Sequence, residues 1–386
     1  MPTPPPDPAA ALLEPPDADE AALVARGMAS AAAPPSGLTD FQRVLIEALF
    51  PAMTGHSVDL TTYAPVTPEE FARALARRNL QFRSRVVQLM LLCALVLRPL
   101  PEDVADRITA FAQELEVDEG MVEVAQRFAD GALGLAAFDF ERNGYTAEWH
   151  PDDTHELHTS VSLQAPWDTD VHDPELAARW SSLGDLAPDS IGRRVWEMYR
   201  ARGFVFPGLP GSAPPLLAQH DWVHVLADYG TTVESELEVF AFVARANDDM
   251  RGFSLLAMVV SLFETGYLRA GAGLFEASPG HLSAGHGMAF RLADALRRGA
   301  LCSDRMTGSD SIDYLRVDWF DLAPLPLDDV RGRFHVTSKA DVALSAGSVG
   351  PWEPGGISPF QERCGSELAE REGRAYESYG ATSGAG

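Results

Sequence analysis

The chain has 386 residues, long enough for two compact domains and tails, and with 46% hydrophobic residues it can build sizeable cores. Its formal net charge of −26 comes without any cluster of Lys and Arg. That balance excludes nucleic acid as a partner and argues against electrostatic attraction to an anionic leaflet, while leaving shallow apolar contact with lipid open.

In chain order, residues 1–37 are rich in Pro, Ala and acids with almost no aromatic side chains. They have neither the basic start nor the apolar stretch of a signal peptide and read as a disordered tail, whose deletion is expected to leave folding unchanged. Residues 38–147 read as a helical bundle. Thr39 and Asp40 can cap a helix through "FQRVLIEALFPAM", and Thr67-Pro68-Glu69-Glu70 is a start signal for "EEFARALARRNL". "FRSRVVQLMLLCALVL" follows as a largely buried helix that ends before Pro99 and holds Cys93 as a core thiol. Pro101-Glu102-Asp103 opens "VADRITAFAQELEV", and Asp118 opens "EGMVEVAQRFADGALGLAAFDF", with apolar positions recurring at three and four residues. In pattern, the run from Leu100 to Gln126 resembles helical domains of the tellurite-resistance type. Cys302 and Cys364 lie far from Cys93 in sequence, so no disulfide framework is expected.

A polar linker over 148–175 leads to a second helical domain over 176–336. Its segments are "LAARWSSLG", "DSIGRRVWEMYRARGF", a Pro/Gly loop, "LLAQHDWVHVLADYGTTVESELEVF", an apolar helix near 253–268, "MAFRLADALRRGAL" and "PLDDVRGRFHV". Residues 337–386 read as a mostly disordered tail with a short helix near "SELAEREGRAYESY". No hairpin signal interrupts this series, so the expected fold is all-α with two helical domains. The longest apolar runs, 86–97 and 253–263, fall short of the ~20 residues a membrane span needs. A soluble cytoplasmic protein is expected, with peripheral contact on the inner membrane face as its membrane association.

The chemistry concentrates at residues 220–236. At ~100° per residue, His220, Asp221 and His224 fall within an arc of roughly 100°, and the two histidines stand one turn apart, the spacing that lets two imidazoles grip one ion. Glu236, twelve residues beyond His224, cannot join them on one uninterrupted helix, because that distance is ~18 Å along the axis. Gly230 can end the first helix in a left-handed cap, and Thr231 with Glu234 can form a capping box that opens a second. The chain then folds back so that Glu236 faces the histidines. A lone H-x-x-x-H pair is more often a capping histidine beside a core histidine. The acid inside this pair and the glutamate after the break favour a metal site. Its mixed nitrogen and oxygen donors suit zinc, with iron(II) or manganese(II) as alternatives.

"HDWVH", eleven further residues and Glu236 form H-D-x-x-H-x11-E. This resembles the signature of the coenzyme Q (ubiquinone) biosynthesis family known as Coq-four. The resemblance extends over about residues 186–336: "DSIGRRVWEMYRARGF" looks like that family's G-R-containing helix, and "RLADALRRGALCSD" with "LRVDWFDLAPLPLDDVRGRF" looks like its closing helices. The resemblance implies a helical, often dimeric protein in which His220, Asp221, His224 and Glu236 coordinate a divalent cation, zinc first. It implies a prenylated aromatic lipid near the metal, with its tail between apolar helices. It further implies a place among the enzymes of quinone biosynthesis, as their organiser and as the lyase-type activity that removes the ring carboxylate of a prenylated hydroxybenzoate and leaves a hydroxyl. Ser235 stands where the family often has glycine.

Other features are weighed against this site. The apolar run 253–263 can line a prenyl tunnel, although most of its residues read as core. Arg193 and Arg194 can meet an anion, but adjacent helical arginines usually face solvent. His150, Asp152, Asp153, His155 and His158 sit in the linker, and His281 and His286 beside glycines, both without a scaffold for ligation. No phosphate-binding loop and no G-x-S-x-G nucleophile stands out. Two alternatives remain: a non-catalytic, metal-stabilised scaffold that binds a prenyl lipid, and a helical phosphohydrolase of the His-Asp type with His172 as its upstream histidine.

Overall fold

The computed structural model describes residues 16–97, 100–117, 172–212, 215–247 and 287–379, with Gly120, Val122, Glu123, Ala125 and Leu256 as isolated positions. Among the described residues there are fourteen α-helices and no β-strand, only two single bridges, Ser190 with Pro326 and Asp304 with Ser309. The chain is mostly helical, as its periodicity implies.

Helix α1 (Ala18–Ala32) lies inside the segment expected to be a disordered tail. Asp17 caps it by accepting from Glu20 N, and Ala21, Met28, Ala29 and Ala32 are fully buried. Alanine contributes little apolar area, which is why composition alone suggested disorder. Its small size nevertheless lets α1 approach its neighbours closely, and burial follows from proximity. Helices α2 (Asp40–Thr54) and α3 (Pro68–Ala74) start with capping boxes, Thr39 with Gln42 and Thr67 with Glu70. The helix expected to run on through Leu80 stops at Ala74. Asn79 then accepts from Phe82 N and opens α4 (Leu80–Leu95), and α5 (Glu102–Glu114) completes this group. The helix expected from Asp118 falls almost wholly outside the described residues, as does the apolar helix near 253–268.

Helices α6 (Pro174–Ser182) and α7 (Ile191–Arg202) lead to α8 (Pro215–Ala227), α9 (Val233–Ala246) and α10 (Gly287–Ala300). Two short helices, α11 (Trp319–Leu322) and α12 (Leu327–Arg333), close the segment. Helix α10 packs on both α9 and α2, and Arg85 of α4 donates to Asn247 O at 2.7 Å, past the end of α9. The early and late helices thus contribute to one hydrophobic cluster. No described helix is long and apolar enough to cross a membrane.

Beyond residue 337, where a mostly disordered tail with a short helix near "SELAEREGRAYESY" was expected, the chain forms α13 (Asp341–Ser345) and α14 (Pro359–Arg371), the latter overlapping the start of that stretch. Helix α14 packs on α7. Gly365 makes this contact possible, since a Cβ there would lie 2.0 Å from Ala201 O. Ser358 and Gln361 cap α14 reciprocally, a start signal of the same kind as those at Thr39 and Thr67.

Candidate metal centre

His220, Asp221 and His224 lie on α8, and Glu236 lies on the first turns of α9, as the spacing required. The corner between them is built differently from the expectation. Asp228, not Gly230, takes the left-handed conformation, with φ 62°, which a short polar side chain tolerates. Tyr229 N donates to His224 O at 2.9 Å and closes the helix end. Gly230 serves close approach instead, because a Cβ there would sit 2.7 Å from Gly356 Cα. The Thr231–Glu234 capping box does not form: Thr232 is the N-cap of α9, without a side-chain cap bond, and Thr231 is engaged elsewhere.

The fold-back brings the four side chains together. Glu236 Oε2 lies 2.9 Å from His220 Nε2, Glu236 Oε1 lies 3.2 Å from His224 Nε2, and Asp221 Oδ1 lies 3.7 Å from His220 Nε2. Ligand atoms of His220, Asp221 and His224 all fall within 4.8 Å of one another, and all three residues are buried. This buried cluster can hold a metal ion. Bonds of about 2.1 Å to nitrogen and oxygen place adjacent donors roughly 3.0 Å apart at right angles and roughly 3.4 Å apart at tetrahedral angles. The three separations seen here are of that order, and the His220, Asp221 and His224 cluster has the compactness a metal ion needs.

Electrostatics point the same way. His224 Nδ1 meets Gly230 O at 2.6 Å. A carbonyl can only accept, so that nitrogen carries the proton, and in the neutral ring Nε2 presents its lone pair to a carboxylate. In the imidazolium, Nε2 donates instead to Glu236 Oε1, 3.2 Å away, and that charged form is the one that lowers the Glu236 carboxyl. Among the described residues, no Lys or Arg nitrogen forms an ion pair with Asp221 or Glu236, although the buried Arg202 guanidinium interacts with both through space. Burial raises the Glu236 carboxyl, but the charges of His224 and His220 and their hydrogen bonds outweigh it and hold the group down at about 2. Asp221 moves the other way. Its burial dominates and lifts it above the usual carboxylate range, against the pull of both imidazoles and of Tyr199.

Distant segments fix this geometry. Arg331 of α12 donates from Nε to Leu226 O at 2.9 Å and from Nη2 to Val225 O at 3.2 Å, which satisfies the last carbonyls of α8. The Pro-Leu-x-x-Val-Arg segment therefore anchors α8. Close approach at Gly192 lets α7 donate its Ile191 and Gly192 amides to Leu325 O and Ala323 O, both at 3.0 Å. Arg202 donates to Thr231 Oγ1 and, at 2.8 Å and 3.1 Å, to Pro351 O and Gly356 O. Trp222 on α8 stacks on Trp319 at 5.8 Å, and Phe240 stacks on the His220 ring at 5.0 Å. Ser235 is fully buried, and its Oγ accepts from Thr232 Oγ1 at 3.3 Å, so the side chain fits where glycine was anticipated.

Arg193 and Arg194 are not part of the cluster; they pair with Glu197 at 3.0 Å and 3.3 Å. His172 is exposed ahead of α6, apart from the buried centre. His150, Asp152, Asp153, His155, His158, His281 and His286 lie outside the described residues, and so does the run 253–263 apart from Leu256, which is buried. Tyr199 and Arg202, inside the segment likened to the G-R-containing helix, Arg331, inside the segment likened to a closing helix, and Gln361, inside a capping box, support the site through distant partners that no local signal names. In comparisons with known proteins, the chain matches no family model, no curated protein and no solved structure.

Proposed function

We propose that the chain binds one divalent cation through His220, Asp221, His224 and Glu236, zinc first, and acts in the manner of the Coq-four family on a prenylated hydroxybenzoate. The observation that carries the metal reading is the buried convergence of His220, Asp221 and His224, whose ligand atoms lie within 4.8 Å of one another, with both Glu236 oxygens against the imidazole Nε2 atoms. Two imidazoles and two carboxylates brought together in a dry site need shared positive charge, which protons supply in the metal-free protein and a divalent ion would supply in the loaded one. The substrate assignment rests on the H-D-x-x-H-x11-E pattern and its flanks.

The reaction removes the ring carboxylate as carbon dioxide and leaves a hydroxyl on that ring carbon. It is a net two-electron oxidation and needs an added oxidant such as dioxygen. A bound divalent ion supplies Lewis acidity toward the carboxylate and phenol oxygens of the ring. The protein's part is to hold the ligands dry and fixed: α8 is tied at its end by Arg331, and α9 is tied through Thr231 and Arg202. Association with other quinone-biosynthesis enzymes and a homodimer belong to the same proposal.

The test supplies zinc-, iron(II)- or manganese(II)-loaded protein with a carboxyl-labelled prenylated hydroxybenzoate under air and measures labelled carbon dioxide. Release above the His224→Ala background supports the reading. Lipid binding without conversion by any loaded form overturns the enzyme and favours a scaffold, and cleavage of phosphate esters favours the phosphohydrolase.

A further inference from the structure

Asp221 follows His220 directly, so on a helix its side chain leaves at ~100° from the histidine and meets the cluster from the side. A short carboxylate in that position needs an outside partner to hold its plane. Tyr199 of α7 is that partner: its hydroxyl donates to Asp221 Oδ2 inside the protein. The Tyr199 ring is itself clamped, 4.9 Å from Trp180, edge-on to Phe204 at 5.4 Å and stacked on Phe206 at 5.7 Å. It is 1% exposed, so no bulk water competes for the hydroxyl. Asp221 Oδ1 is left on the side of His220 Nε2, 3.7 Å away.

We infer that Tyr199 is a positioning residue that restricts Asp221 to one donor oxygen and thereby keeps a coordination position for an oxygen of the substrate. The inference rests on the metal reading above. A carboxylate that gives both oxygens to an ion must present both edges to it. The hydroxyl draws charge from Oδ2 and holds it away, so Oδ1 is the better donor. Four residues giving one donor each leave a place on an ion that expands to about five donors, as zinc does at catalytic sites. A chelating Asp221 would take that place.

The experiment compares the wild-type chain with Tyr199→Phe, which keeps the aromatic packing and loses only the hydroxyl. Zinc affinity is measured by competition with a chromophoric chelator, and coordination by the visible spectrum of the cobalt(II)-substituted protein. The expected result is about 10- to 100-fold weaker zinc binding in the variant, together with a fainter cobalt band, the mark of an added donor. A purely structural role for Tyr199 would weaken folding without changing the band. Wild-type-like affinity and spectrum in Tyr199→Phe would overturn the inference while leaving the metal reading intact. A wild-type protein that takes up neither zinc nor cobalt would end the metal reading itself. Should Tyr199→Phe not fold, a crystal structure of the zinc-loaded wild type decides: both Asp221 oxygens on the ion refute the assignment, and one on the ion with one on Tyr199 supports it.

Discussion

Thr231 and Gln361 hold each other across 130 residues of chain: Thr231 Oγ1 donates to Gln361 Oε1 at 2.9 Å, and Gln361 Nε2 donates to Thr231 O at 2.7 Å. Both are buried, and Arg202 and Gly356 meet at the same corner. The segment after residue 337 is therefore part of the mounting of α9. Gln361→Ala takes the side-chain donor from the buried Thr231 carbonyl, while Thr231 Oγ1 keeps Arg202 and Gly356, and the loss costs about 1–3 kcal/mol. A lower denaturant midpoint with an unchanged slope is the expected outcome. An unchanged midpoint would mean that this contact contributes nothing to stability.

Helix α1 carries a second prediction. Met28 is fully buried on it, facing the group formed with α2 to α5. Met28→Ala should destabilise by about 2–5 kcal/mol, through lost transfer energy and the cavity left behind. Deleting residues 1–37 removes the whole helix and should lower the melting temperature far more. This reverses the neutral outcome that the composition of that stretch suggests. Calorimetry of both variants settles it: a deletion that melts like the intact chain would show that α1 contributes nothing to the core.

What could be read in advance divides along physical lines. Ligation leaves a local trace, because two imidazoles must sit a turn apart on one helix and the carboxylate must follow a break. The convergence of His220, Asp221, His224 and Glu236 was legible for that reason. Helix starts at Thr39 and Thr67 were legible because capping is chemistry between residues three apart. Tyr199 and Gln361 were not, since their partners lie 22 and 130 residues away and nothing near them marks the pairing. The corner shows the limit within a motif. Glycine is the default for a left-handed turn, yet Asp228 takes that conformation and Gly230 is spent on backbone contact with Gly356. Alanine-rich α1 escaped because small side chains gain burial only from a partner that the sequence does not name.

Acid should destabilise the metal-free protein through Glu236. Its folded carboxyl lies at about 2, against an ordinary value of 4.5. The native state therefore binds the proton less readily than the unfolded chain. The stabilisation this provides is fully present above about 4.5 and is lost as the pH falls from there toward about 2. Glu236→Gln removes that dependence. Chemical denaturation of both proteins between pH 6 and pH 2, on the order of one pH unit per step, checks the sign. A wild-type curve that falls no more steeply than the variant's across this window contradicts the assignment.

Asp221 should show stability and metal affinity moving in opposite directions. Burial lifts its carboxyl above the ordinary value of 3.8, so the folded state binds the proton more readily than the unfolded chain. Its contribution favours folding below that ordinary value and is lost as the pH rises through the raised one, which leaves a cost at neutral pH in the metal-free protein. Asp221→Asn keeps an oxygen to accept from Tyr199 and removes the charge. The metal-free variant is therefore expected to melt higher than the metal-free wild type at pH 7. With zinc the order reverses, because the ion has lost an anionic donor. The affinity should drop by more than the roughly 10- to 100-fold that follows loss of an outer partner. Calorimetry with and without zinc gives both halves in one experiment. A variant less stable than the wild type in both states would show that Asp221 serves the fold, and one that melts identically with zinc would remove it from the ligand set.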